Sequence, residues 1–146
     1  MPRMIFVNLP VADLDRSIAF YQSVGAEQNK QFADSTCSMM SFSFEINVML
    51  LTHDRFRTFT TKSIADTHSS AQALLCLSAD SREAVDRMIE DAAAAGAALD
   101  PTPPQDMGFM YGRSFEDPDG HIWEVMWMDV EAATKAMAPQ QEPANA

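Results

Sequence analysis

One order of elements runs twice through this chain: a strand, a helix, then more strands. The first round opens with "MIFVNLPV" and continues into "DLDRSIAFYQSVG". The second opens with "AQALLCLSAD" and continues into "DSREAVDRMIEDAAAAG". Phe6 corresponds to Leu74, an offset of about 68 residues, and the helix after Asp13 corresponds to the one around Ser81. An internal repeat of this kind fixes architecture before any single residue does. It predicts an α+β fold of two βαβββ modules, whose sheets form a cupped, partly closed barrel around a shared cavity. Module one would occupy residues 1–60 and module two residues 70–130 of a single domain 1–130, with 131–146 as a polar tail.

Local patterns support each element. Alternation along the first strand puts Phe6 and Asn8 on one face and Ile5, Val7 and Leu9 on the other. Leu14, Ile18, Tyr21 and Val24 recur at helical spacing, with Asp13 to cap the start and Gly25 to end the helix. "QFADSTCSMMSFSF" and "EINVMLLT" follow as β-like runs with a turn near Phe44-Glu45. Residues 52–70 show neither period and predict a long loop, with room for a short helical turn. In the second helix Asp80 and Glu83 have capping-box spacing. Val85, Met88, Ile89 and Ala92 form its apolar stripe, and Gly96 stops it. "DPTPPQD" is a Pro-rich connector. "MGFMYGRSF" and "HIWEVMWMD" are two strands joined by Asp117-Pro118-Asp119-Gly120, and "APQQEPANA" is a frayed end.

Composition narrows the partners. With 47% apolar residues the chain can bury a real core. Its 21 acidic against 10 basic side chains give a net charge of −11, which repels nucleic acid and anionic membrane surfaces. No run approaches the roughly 20 apolar residues of a membrane span, and the N-terminus does not read as a secretory signal. Two cysteines, Cys37 and Cys76, are too few for a disulfide framework and predict free thiols in a reducing cytoplasm.

"SFEDPDGHIWEVMW", residues 114–127, places a carboxylate, Glu124, between Trp123 and Val125 in an otherwise apolar strand. Together, "VADLDRSIAFYQSVG" and "FEDPDGHIWEV" resemble the vicinal oxygen chelate superfamily over roughly residues 3–129. That group holds glyoxalase I, bleomycin-resistance proteins, extradiol dioxygenases and fosfomycin-resistance enzymes. The resemblance implies paired βαβββ modules, a homodimer with sites at or near the interface, and, in metal-dependent members, four strand positions carrying His and Glu ligands. Glu124 falls at the last of these positions. The others fall on Phe6, Met49 and Leu74, which offer no hard donor. A register slip of two residues brings Asn8, Asn47 or Cys76, which make no obvious set. A catalytic divalent ion needs about three protein ligands, so the resemblance implies a family site from which the metal has been lost.

If Phe6, Met49 and Leu74 face the cavity, they turn a metal-binding floor into an apolar one. Ile122 and Met126 share the face of Glu124, while Asn8 and Asn47 add polar groups. Burial would disfavour the charged form of Glu124 and suit it to general acid–base work; pairing with Arg113 is the structural alternative. Tyr111 either points its hydroxyl into the cavity or packs in the core. His53 and His68 read as solvated loop residues and His121 as a strand-edge residue, with no ligand spacing among them. Arg55, Phe56, Arg57 and Phe59 would form a lid or a dimer contact. The expected function is glyoxalase- or bleomycin-resistance-like binding of a small organic molecule in a mostly apolar cavity, with no cofactor and Glu124 as the catalytic candidate. The first alternative is a metal-dependent lyase of the lactoylglutathione type, or a dioxygenase, with rearranged ligands. The second is an interaction module with a vestigial cavity.

Overall fold

A computed structural model of the chain describes residues 1–138. Module one runs β1 (Ile5–Val11), α1 (Leu14–Ser23), β2 (Glu27–Ala33), β3 (Cys37–Ser41) and β4 (Ile46–Thr52). A short helix α2 (His53–Arg57) then leads into the linker. Module two runs β5 (Leu74–Ser78), α3 (Arg82–Ala94), β6 (Gln105–Asp106), β7 (Met110–Glu116) and β8 (Ile122–Met128). A last helix, α4 (Val130–Met137), follows. The sheets have the same topology, β1-β4-β3-β2 and β5-β8-β7-β6, with the first pair of each parallel and the rest antiparallel. They are cupped and not closed into a barrel.

Each element forms where its local chemistry permits. Asp13 caps α1 by accepting the Arg16 backbone N–H, and Gly25 takes the φ of 100° that lets the chain leave the helix. Ser81, not Asp80, caps α3 by accepting the Ala84 N–H, because Ser81 is the residue with extended backbone next to the first turn. Strand alternation sends Val48 and Leu50 of β4, and Trp123 and Val125 of β8, into one core shared by both modules. Helix α1 supplies Phe20 and Tyr21 to it. Phe20 meets Phe115 at 5.9 Å between ring centroids, and Tyr21 meets Trp123 at 6.0 Å.

The Asp117–Gly120 turn is the clasp between modules. Asp117 accepts the Tyr21 hydroxyl at 2.6 Å and the backbone N–H groups of Asp119 and His121 at 2.9 and 2.8 Å. Asp119 accepts the Ala12 N–H at 2.8 Å and the Ser17 hydroxyl at 3.3 Å. The Thr67 hydroxyl donates to the Asp119 carbonyl, and the His121 ring lies 2.9 Å from the Pro10 carbonyl. Trp123 donates its indole N–H to the Tyr21 oxygen at 3.0 Å. Each of these bonds, the indole's included, crosses from module two to module one or to the linker, except the two that the Asp119 and His121 N–H groups give to Asp117 within the turn. His121 sits at the edge of β8, directly before its first residue, and is buried there with its ring against Pro10.

Three segments depart from the expectation. The polar run "EQNKQFA" is a full strand, β2, and the Pro-rich connector contains the two-residue strand β6. The segment expected to be tail from residue 131 begins instead as helix α4, capped by Asp129 accepting the Ala132 N–H. The remainder of that tail lies outside the described residues.

Candidate active site on the open sheet faces

The face of the first sheet opposite the core carries two rows of side chains across all four strands. Phe6, Asn47, Ser41 and Glu27 form one row; Asn8, Met49, Met39 and Asn29 form the next. All of them but Asn8 floor a cavity of about 790 Å³, walled further by Met4, Phe32, Phe42, Ser43 and Phe44. Phe32 is 56% exposed and Phe44 57%, so large aromatic surface stands uncovered at the mouth. Asn47 is fully buried on the floor. It accepts the Ser41 hydroxyl at 2.6 Å and donates to the carbonyls of Ile5 and Phe44 at 3.4 and 3.3 Å. Its amide is therefore a structural pin between β3, β1 and the β3–β4 turn.

The second sheet repeats the arrangement with different chemistry. Cys76, Glu124 and Ser114 form a row across β5, β8 and β7. They border a small cavity of about 90 Å³ with Thr102, Pro103, Gln105, Gly112 and Met126. Glu124 is half-buried there. Burial, and then the neighbouring Glu124 carboxylate, push the Cys76 thiol up from its ordinary value, so it stays protonated at neutral pH.

Register decides what Glu124 can meet. Ser114 is its partner on β7, whereas Arg113 lies opposite Val125. Arg113 instead binds Asp100 through two nitrogens, at 2.8 and 3.3 Å, and approaches Asp86 at 3.9 Å. The Glu124–Arg113 pair that the sequence leaves open does not form, because adjacent strand positions face opposite ways. Tyr111 follows the same parity. Its hydroxyl donates to Asp86 of α3 at 2.5 Å, its ring lies under the Arg82 guanidinium at 4.7 Å, and it packs against the core.

The expected site residues thus divide. Phe6, Asn47 and Met49 gather at the first-sheet cavity. Glu124 sits on the second-sheet cavity, which Arg113 borders. Asn8 and Ile122 line a third cavity of about 620 Å³ between β1, β8 and the 60–75 linker, while Leu74 is 53% exposed at the start of β5. Each open-face cavity draws only on its own module. The sequence pointed to neither Glu27 nor the aromatic wall at Phe32, Phe42 and Phe44. Glu27 and Phe32 lie on a strand without apolar alternation, and Phe42 and Phe44 lie at a turn.

Pairing also tests the metal positions. The neighbour of Met49 on β1 is Asn8, not Phe6, and the neighbour of Glu124 on β5 is Cys76, not Leu74. Neither register supplies the donors a divalent ion needs: Glu124 contributes one carboxylate, and Asn8, Met49 and a protonated Cys76 are poor partners for a hard cation. Among the described residues, no three His, Cys, Asp or Glu side chains converge on a point that could hold a metal ion. These residues do not fit the family's metal.

Among curated proteins, none matches the chain. Solved structures do. A glyoxalase/bleomycin resistance protein/dioxygenase family enzyme from Burkholderia phytofirmans superposes with a TM-score of 0.73 at 20% identity, covering 87% of this chain and 99% of that one. A glyoxylase/bleomycin resistance protein/dioxygenase domain from Frankia gives 0.64 at 26% identity, covering 88% and 98%. The fosfomycin resistance protein FosX from Listeria monocytogenes gives 0.65 at 20% identity, covering 90% and 97%. The family model described as the glyoxalase/bleomycin resistance protein/dioxygenase superfamily matches residues 3–125, and the chain belongs to that superfamily.

Proposed function

We propose that this protein binds a small organic molecule in the apolar cavity of its first sheet, acting as a homodimer and without a divalent metal. The observation that carries this is the wall of Phe6, Phe32, Phe42, Phe44, Met4, Met39 and Met49 around about 790 Å³, a volume and a lining suited to a small-molecule guest. Methionine makes that wall adaptable in shape. The half-exposed Phe6 and Leu74 on the open faces favour a second copy that covers them. A second-sheet face laid over the first-sheet face of its partner would bring Glu124 to the guest as the candidate acid–base group for turnover. Among the described residues no helix is long and apolar enough to cross a membrane, and both cysteines are free thiols, which suits the cytoplasm.

Nile red, a neutral apolar dye, tests the reading. Titration into the full chain should give saturable fluorescence enhancement, and Met49→Glu on the cavity floor should weaken binding by about tenfold or more. Binding that Met49→Glu leaves unchanged would place the apolar site elsewhere. Turnover of the methylglyoxal–glutathione adduct with added nickel or zinc would replace this reading with the metal-dependent lyase.

A further inference from the structure

The polar atoms around the first-sheet cavity are nearly all acceptors. Its lining contains no Lys, Arg or His. Asn47 has both amide N–H groups committed to carbonyls, and the Ser41 proton is committed to Asn47. The Ser43 hydroxyl donates to Glu45 at 3.4 Å. Among the lining side chains Asn29 alone keeps free neutral donors, since only its oxygen is engaged, by the Gln31 N–H at 3.1 Å. At the rim stands Glu27, exposed and without an ion pair among the described residues. The second-sheet face has the same bias: among the described residues Glu124 has no cationic partner, and Arg113, which borders the same cavity, is held by Asp100.

We propose that the first-sheet cavity takes an amphipathic organic cation, with a flat apolar body against Phe6, Phe42, Phe44 and Met49 and a protonated amine or amidine at Glu27. This rests on the reading of that cavity as the ligand site and adds the ligand's charge. Aromatic ring faces attract a cation through their quadrupoles, and the thioether is polarisable. The Glu27 carboxylate gives a charge-assisted hydrogen bond to an N–H donor. An anion of the same shape would meet Glu27 with no counter-charge in the lining, which is discrimination by repulsion as well as attraction. The net charge of −11 draws cations to the mouth.

The test uses two three-ring probes of similar size, cationic 9-aminoacridine and anionic anthracene-9-carboxylate, titrated into the full chain at about 0.15 M salt, where long-range attraction is screened. The cation should bind at least about tenfold more tightly than the anion. Glu27→Gln should weaken the cation about five- to tenfold and leave the anion no weaker. Glu131→Gln, which makes the same charge change on α4 at a residue whose side chain is 86% exposed, should leave both unchanged. Phe44→Ala should weaken both probes. Equal or tighter binding of the anion would overturn the cation proposal while keeping the cavity as a ligand site. Equal losses in Glu27→Gln and Glu131→Gln would overturn it too, since binding would then follow net charge. Failure of both probes to bind, or binding indifferent to Phe44→Ala, would overturn the cation proposal and the ligand site together.

Discussion

At the scale of single residues, Asp117 shows how a motif that looks chemical can be structural. Burial pushes its carboxyl up from the ordinary value, against the opposing pull of His121, the Tyr21 hydroxyl and the His121 backbone N–H. A carboxyl whose folded-state pKa is raised adds stability below its unfolded value of about 4, and loses that contribution as pH rises through the folded value. Asp117→Asn cannot titrate. The variant should melt below the wild type at pH 7, and the gap should widen as pH falls from 7 to 4. Asp34, held down to about 2 by the Thr36 hydroxyl and N–H, and Asp100, lowered by Arg113, lose stability in acid in both proteins and cancel in the difference. Melting curves of the pair across that range check this. A gap that narrows on acidification would mean that the three donors around Asp117 outweigh its burial. The sequence showed Asp117 only as turn chemistry; its partner Tyr21 lies 96 positions away, and no local pattern announces a bond of that span.

At the scale of elements, legibility followed the reach of each signal. Helices α1 and α3 were readable because caps, apolar stripes and terminal glycines lie within a few residues of one another. Strand β2 was not, because "EQNKQFA" carries no alternation and is a strand by virtue of pairing with β3. Register sits between these cases. Alternation correctly assigned Glu124, Ile122 and Met126 to one face, yet only the observed pairing shows that Glu124 meets Ser114 and Cys76 and that Arg113 turns to Asp100. The clasp turn gives the element-scale prediction. Gly120 has a φ of 86°, and a Cβ there would lie 2.5 Å from the Thr67 carbonyl oxygen. Gly120→Ala should therefore cost about 3 kcal/mol of stability, from both the backbone conformation and the clash. Urea unfolding checks it; a loss within about 0.5 kcal/mol would show that the linker does not pack on the turn as described.

At the scale of the whole molecule, the repeat gave the architecture and left the site incomplete. Two sheets of identical topology share one core, and each turns an open face away from it. The first face is aromatic and methionine-rich, and the second carries the carboxylate, Glu124. Family resemblance located both faces. It did not foresee that within one chain their cavities are separate, each lined by residues of its own module. The central claim is that apolar side chains have replaced the ligands of the family's metal, so that the protein handles an organic guest on its own. Metal content of the full chain, purified without chelators and passed through gel filtration, tests this most directly. The account predicts far less than one bound metal ion per chain. One tightly held nickel, zinc, iron or manganese ion per chain, lost on Glu124→Ala, would contradict it.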